Sequence, residues 1–245
     1  MMGMTERTAL LLGEEGIERL NQAKVLVFGL GGVGSYTVEA LARSGIGSLT
    51  LVDDDVVAES NINRQLVALH STVGMAKTEV AKKRIADISP TCKVETIQMF
   101  YTPETADKIS FEGYDYIVDA VDTVSAKLEI LQRAQKANVP VISCMGTGNK
   151  LHPEKLCVTT IEKTQGCPLA RVMRRECKVR GLKNIPVVYS TEPPIQHKGN
   201  TMQQQSNTSR TGNPKKSTPG SVSFVPGCAG LMLAAEVVRA ISKAE

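Results

Sequence analysis

Apolar positions along the first 145 residues fall into two alternating rhythms. Residues 5–21 place Leu10, Leu11, Ile17 and Leu20 at helical spacing, which predicts an opening helix. Short apolar runs then alternate with longer amphipathic ones. Strands are predicted at 24–30, 48–53, 93–99, 114–121 and 140–145. Helices are predicted at 33–44, 77–87, 103–109 and 125–138; Pro90 closes the second and Pro140 follows the last. Four of these strands are nearly continuous in apolar character, as strands are when helices cover both faces of a parallel sheet.

Beyond Gly146 the rhythm changes. Strands are predicted at 156–162, 187–191 and 221–225, separated by a basic helix near 168–180 and a polar segment at 192–220. That segment is rich in Gln, Asn, Ser, Thr, Pro and Gly and almost without apolar residues, so it reads as a mobile loop and not as a domain boundary. A closing helix over 227–243 should pack back on the sheet. The fold class expected is α/β: a doubly wound, mainly parallel sheet in one 1–245 domain. A nucleotide-binding core over 1–148 would carry a β-rich extension over 149–245 on the same sheet.

Composition adds limits. The 245 residues are 42% hydrophobic and 22% charged, enough to bury a core. Aromatics are 4% with no Trp, which argues against a surface that works mainly by stacking bases. The six cysteines form no C-x-x-C pair, so no structural zinc is expected, and Cys144 and Cys157 read as small buried residues of strands. No basic stretch followed by a long apolar run opens the chain, and the expectation is a reducing, cytoplasmic setting. The apolar stretch at 225–241 is interrupted by Glu236 and Arg239, which favours a packed helix over a membrane span.

The chemistry concentrates at strand ends. Gly29, Gly31, Gly32 and Gly34 make a G-x-G-x-x-G turn that follows a strand and opens a helix. Such glycines let the backbone approach phosphate, and the helix N-terminus offers unpaired N–H groups. Asp53 ends the next strand about 20 residues on, where a carboxylate can bond ribose hydroxyls. This much is compatible with NAD, FAD or a mononucleotide. A polar SNINRQ loop at 60–65 follows, then Lys77 after Gly74, then Asp119 and Asp122 at the end of the fourth strand. Arg64, Lys77 and Asp122 can converge on the carboxyl edge of the sheet. Two cations and an acid suit a triphosphate with magnesium, and NAD needs no such cage.

These residues, in this order, resemble the ubiquitin-activating-enzyme-like superfamily of ThiF, MoeB and HesA, over GLGGVGS, LVDDD, SNINRQ, the G-x-x-K at 74–77 and DAVDT. The resemblance implies an adenylating ATP site containing Asp53, Asp55, Asn61, Arg64, Gln65 and Lys77, with Asp122 supporting Mg2+. It also implies a homodimer in which Arg7 reaches the partner protomer's ATP. Three longer stretches (7–47, 167–181 and 221–241) are similar to the subgroup that dehydrates threonylcarbamoyladenosine in tRNA. That similarity implies activation of the side-chain carboxylate by ATP, ring closure with loss of AMP, and a tRNA anticodon stem-loop as partner. A monovalent cation and a sulfur-relay partner belong to the same set of expectations.

A basic stretch in the extension reads by itself as a solvated helix face and a loop, and together with the tRNA resemblance as a face for RNA. Arg171, Arg174, Arg175 and Lys178 fall at i, i+3, i+4 and i+7, one face of a helix, and Lys198, Arg210, Lys215 and Lys216 follow with no acid between 195 and 219. A solvated helix face is the alternative. Cys167 precedes Pro168 at a predicted helix N-terminus, where a thiolate is favoured, although the dehydration scheme needs no covalent cysteine; Cys177 is the other thiol to test. The competing functions are activation of a ubiquitin-like carrier's C-terminus, a non-catalytic scaffold, and an NAD-dependent oxidoreductase.

Overall fold

The computed structural model describes residues 3–196 and 219–244. Five strands, β1 (Lys24–Phe28), β2 (Ser48–Val52), β3 (Lys93–Ile97), β4 (Tyr116–Asp119) and β5 (Val141–Cys144), pair in parallel. The extension adds β6 (Leu156–Thr160) and β7 (Pro186–Ser190) to the same sheet, β7 parallel to β5 and β6 antiparallel to β7 at the edge. The order is β3-β2-β1-β4-β5-β7-β6. Chain progression reverses between β1 and β4, and clefts for ligands form at such reversals, outside the carboxyl ends of the strands.

The helices are α1 (Glu6–Gln22), α2 (Gly34–Arg43), α3 (Lys77–Ile88), α4 (Val124–Ala137), α5 (Pro168–Val179) and α6 (Phe224–Ser242). Helices α1, α2, α3 and α6 cover one face of the sheet, where Val25, Val27, Leu49, Leu51 and Val118 point. Helices α4 and α5 cover the other, over Leu26, Phe28, Ile117 and Val187. Each central strand is thus buried on both faces, which is why its sequence reads as an unbroken apolar run. Truncating one such residue, Ile117→Ala for instance, costs about 2–5 kcal/mol.

Three expectations are corrected. Residues 221–225 are not a strand. The alternation of SVSFV is only five residues long, and Val225 instead opens a helical stripe with Ala229, Leu233 and Val237, all buried. The segment 103–109 holds only a three-residue 3-10 turn, Ala106–Lys108. The opening helix is broken at Gly13, whose φ of 71° and ψ of 163° lie outside the helical region. Helix α6 is the one described helix long and apolar enough to cross a membrane. It lies against α2 instead. A Cβ on Gly230 would come within 2.3 Å of the Val33 carbonyl oxygen, and Thr37 Oγ1 donates to the Gly230 carbonyl at 3.0 Å.

Candidate active site

The turn between β1 and α2 forms the floor of the site. Gly29 has φ +88°, and a Cβ there would sit 2.7 Å from the Ala120 carbonyl oxygen, so the turn lies directly against the loop that follows β4. The N–H of Gly29 donates to Val52 at 2.8 Å and the N–H of Leu30 to Asp53 Oδ2 at 2.6 Å. Asp53 therefore holds the glycine turn with one oxygen, while Oδ1 accepts the Asp55 N–H at 2.9 Å. Burial pushes the Asp53 carboxyl above its ordinary range, opposed by the nearby Lys77 ammonium and by those two N–H groups.

Lys77 reaches this point because a short ladder pairs the loop after β2 with the approach to α3. Val57 N–H donates to Met75 at 2.8 Å, Lys77 N–H to Asp55 at 3.1 Å, and Val56 bridges Ala76. The Lys77 ammonium, on a side chain only 4% exposed, then meets Asp55 Oδ2 at 2.9 Å. The SNINRQ loop crosses the other side of the turn. Leu66 N–H donates to Ser35 Oγ at 3.1 Å, and the Arg64 carbonyl oxygen lies 3.4 Å from where a Gly32 Cβ would be. Gln65 is buried with its Nε2 beside Gly31, and its Oε1 finds no hydrogen-bond partner. Thr78 Oγ1, one residue past Lys77, is likewise buried and unpartnered. Buried acceptors without partners are rare and call for an explanation.

Lys77 and Asp55 pair directly, whereas Arg64, Asn61 and Asp122 on this edge find only local partners, and Arg7 is not brought to it: Thr5, two residues before, lies against Gly45 in the turn between α2 and β2. Arg64 donates to the Ser60 carbonyl at 2.9 Å and to Asn63 Oδ1 at 2.8 Å. Asn61 caps its own turn through the Ala58 N–H at 3.1 Å. Asp122 is exposed just past β4 and accepts from Thr123 Oγ1 at 3.3 Å. Arg7 is exposed on α1.

On α5, Arg171, Arg175 and Lys178 are exposed, but Arg174 turns inward and donates to the Thr164 carbonyl and, at 2.8 Å, to its Oγ1. Its position on the helix put it on the basic face, but the loop packed under α5 supplies acceptors that hold it. Arg175 pairs with Glu176 at 3.0 Å. Lys198, Arg210, Lys215 and Lys216 lie outside the described residues. Cys167 precedes α5 and is buried; Cys177 is buried and its thiol is pushed up to about 11, which keeps it protonated. Cys144 is buried as expected, whereas Cys157 is only half-buried.

Two clusters at this edge escaped the sequence reading. Lys127 and Asp119, both completely buried, pair at 3.0 Å beneath the loop that carries Asp122. A signal existed: Lys127 occupies the apolar stripe of α4 with Ile130, Leu131 and Ala134. The second joins three distant segments beyond β5 and β7. Glu192 accepts the N–H groups of Leu151 and His152 at 3.1 and 3.0 Å, Lys150 donates to the Glu192 carbonyl, and Asn149 clasps Gly220 and Ile195 through backbone and side chain. Nothing local in the sequence marks it.

The description of the ThiF family matches residues 5–245. The chain is 41% identical over 244 residues to the tRNA threonylcarbamoyladenosine dehydratase of Bacillus subtilis, covering 99% of this chain and 96% of that one. It is 38% identical over 193 residues to the Escherichia coli protein of the same name, covering 76% and 72%. Among solved structures, E. coli tRNA N6-threonylcarbamoyladenosine dehydratase in complex with ATP superimposes with a TM-score of 0.86 at 30% identity, over 99% of this chain and 95% of that one. The AMP complex of the E. coli enzyme gives 0.84 at 31% identity, over 97% and 93%. The glycine turn, the strand-end loops around it and these likenesses agree: the chain belongs to the ThiF family.

Proposed function

We propose that this chain is an ATP-dependent tRNA threonylcarbamoyladenosine dehydratase. The observation that carries the reading is the convergence of Asp53, Gln65, the Arg64 backbone and the 120–121 backbone on one glycine turn at the sheet's reversal point, with the Gln65 acceptor left unpartnered there. The turn and the α2 N-terminus receive the phosphates. Arg64 and Lys77 swing from their present partners onto them, and Asp53 with Asp55 faces the ribose side. The substrate's carboxylate oxygen attacks the α-phosphorus and pyrophosphate leaves. A nucleophilic atom of the same modified base then attacks the acyl carbon and AMP departs with the carboxylate oxygen, so the nucleoside loses one water. Because nucleophile and acyl group belong to one molecule, proximity supplies much of the rate.

Among the described residues no three His, Cys, Asp or Glu side chains cluster to hold a metal. Magnesium commonly takes one or two carboxylates plus phosphate oxygens, so the single exposed Asp122 beside the phosphates fits it. When bound, the ion offsets charge on the departing pyrophosphate. Exposed Leu10 and Leu11, 84% and 85% accessible on the helix that carries Arg7, suit a homodimer in which Arg7 serves the neighbouring site. Arg171, Arg175 and Lys178 form the face offered to the anticodon stem-loop.

The test is to incubate the protein with ATP and tRNA bearing the open modification, then weigh the nucleosides. Loss of one water from the modified adenosine, with stoichiometric AMP, is expected. Pyrophosphate release with a ubiquitin-like carrier protein and none with tRNA would replace this reading with the carrier-activating one.

A further inference from the structure

Lys127 lies on the first turns of α4 and has no contact with solvent. Its ammonium has three N–H donors and finds three acceptors: Asp119 Oδ2 at 3.0 Å, Ser143 Oγ at 3.3 Å and the Cys144 carbonyl at 2.7 Å. Ser143 Oγ in turn donates to Asp119 Oδ2 at 2.5 Å, and Asp119 Oδ1 accepts the Val121 N–H at 3.2 Å. Every member is satisfied, which makes such a buried network rigid.

Stability alone does not account for it. A buried ion pair is commonly no better for folding than apolar residues of the same volume, and the buried residues that follow Lys127 on α4, Ile130, Leu131 and Ala134, are apolar. What the network adds is direction. Asp119 ends β4 and Ser143 is its register partner on β5. Asp122 lies three residues past the first and Gly146 three past the second. Lys127 therefore fixes the loop bearing Asp122 relative to the loop at 146–148, across the carboxyl edge beside the glycine turn. On the 146–148 side the chain is anchored again by Asn149 and by Lys150 against Glu192.

We propose that Lys127 is a positioning residue: through Asp119 and Ser143 it holds Asp122 where the metal and the triphosphate need it, at a set distance from the 146–148 wall of the site. The proposal rests on the ATP reading above and deepens it.

Lys127→Met removes the tie but also leaves the Asp119 carboxylate buried and unpaired, which destabilises the fold by itself. Asp119→Asn combined with Lys127→Met removes that charge as well. Leu131→Ala, one turn along α4 and facing only the core, serves as the destabilised control. ATP binding is measured by equilibrium dialysis at graded Mg2+, beside AMP release per folded molecule with modified tRNA. The double variant should recover most of the stability lost in Lys127→Met, yet need about tenfold to a hundredfold more Mg2+ for half-maximal ATP binding, the usual loss when a group supporting a metal ligand is removed. Leu131→Ala should unfold at lower temperature with its Mg2+ midpoint unchanged. A double variant with wild-type stability and a wild-type Mg2+ midpoint overturns the proposal. If neither Lys127 variant folds, Ser143→Ala decides, since it deletes one acceptor and keeps the ion pair: a raised Mg2+ midpoint supports the tie and an unchanged one refutes it. The dialysis needs no tRNA, so failure of the RNA reading leaves this result standing.

Discussion

The glycine turn offers a clean separation of ligand binding from folding, because two of its glycines differ in what a single methyl group would meet. A Cβ on Gly34 would lie 1.8 Å from the Gly29 carbonyl oxygen and 3.3 Å from Ala120 Cβ. Ordinary carbon contacts begin at roughly 3.5 Å, so the start of α2 would have to withdraw by well over 1 Å. It cannot do so freely. Leu30 is tied to Asp53, Gly29 to Val52 and Leu66 to Ser35. Overpacking of this kind costs about 1–3 kcal/mol, and Gly34→Ala should lose that amount in urea denaturation along with its ATP affinity. A Cβ on Gly31 would meet only Gln65 Nε2, at 3.8 Å, an ordinary contact, and no left-handed φ is needed there. Gly31→Ala should therefore keep the parent stability or gain about 0.4–1 kcal/mol from the stiffer unfolded chain. Its methyl would nonetheless stand where the phosphates approach the backbone, and ATP binding should weaken by about tenfold or more, at least ~1.4 kcal/mol. Isothermal titration with Mg·ATP beside the denaturation curves tests both. If Gly31→Ala binds ATP as tightly as the parent, phosphate does not pack on this turn and the site assignment fails.

Arg64→Ala and Asp122→Ala should each lower AMP formation by about 100-fold or more while shifting unfolding by no more than about 0.5 kcal/mol, because neither side chain is buried; a matching loss of stability would point to a structural role. Glu39 is mostly buried, which alone would raise its carboxyl, but hydrogen bonds and charge from Arg84 and Arg43 outweigh this and hold it below 4.5. Its contribution is thus present above that value and fades as pH falls through the lower folded one. The melting-temperature gap between the parent and Glu39→Gln should be full at neutral pH and narrow as the pH falls below the ordinary carboxylate value, and a gap that widens on acidification would reverse the sign of this argument. Cys167→Ser and Cys177→Ser should leave cyclisation nearly unchanged, and Cys177 should resist alkylation at pH 8 until the chain is unfolded; complete loss of AMP release in Cys167→Ser would place that thiol in the chemistry.

The sequence by itself determined the elements whose information is local. Apolar runs marked four of the five parallel strands, alternation marked the edge strand β3, and the glycine spacing marked the β1–α2 turn, because burial on two faces and backbone approach to phosphate leave marks within a few consecutive residues. It also placed Asp53, Lys77 and Asp122 at the carboxyl edge of the sheet, since strand ends follow from strand order. What tertiary structure decided was which partner each side chain finds. Arg174 lies on the predicted basic face yet turns to Thr164, and Lys127 sits in an apolar stripe because Asp119, Ser143 and the Cys144 carbonyl, brought from two other strands, complete its three bonds. Residues 221–225 alternate like a strand, but docking of α6 on α2, a contact between residues 193 apart in the chain at Thr37 and Gly230, makes them the approach to a helix and its first turn. Periodicity reports which way a residue faces over a handful of positions. Hydrogen-bond partners across tens or hundreds of residues are set only when the layers close, and here that closure assembles the buried supports of the site.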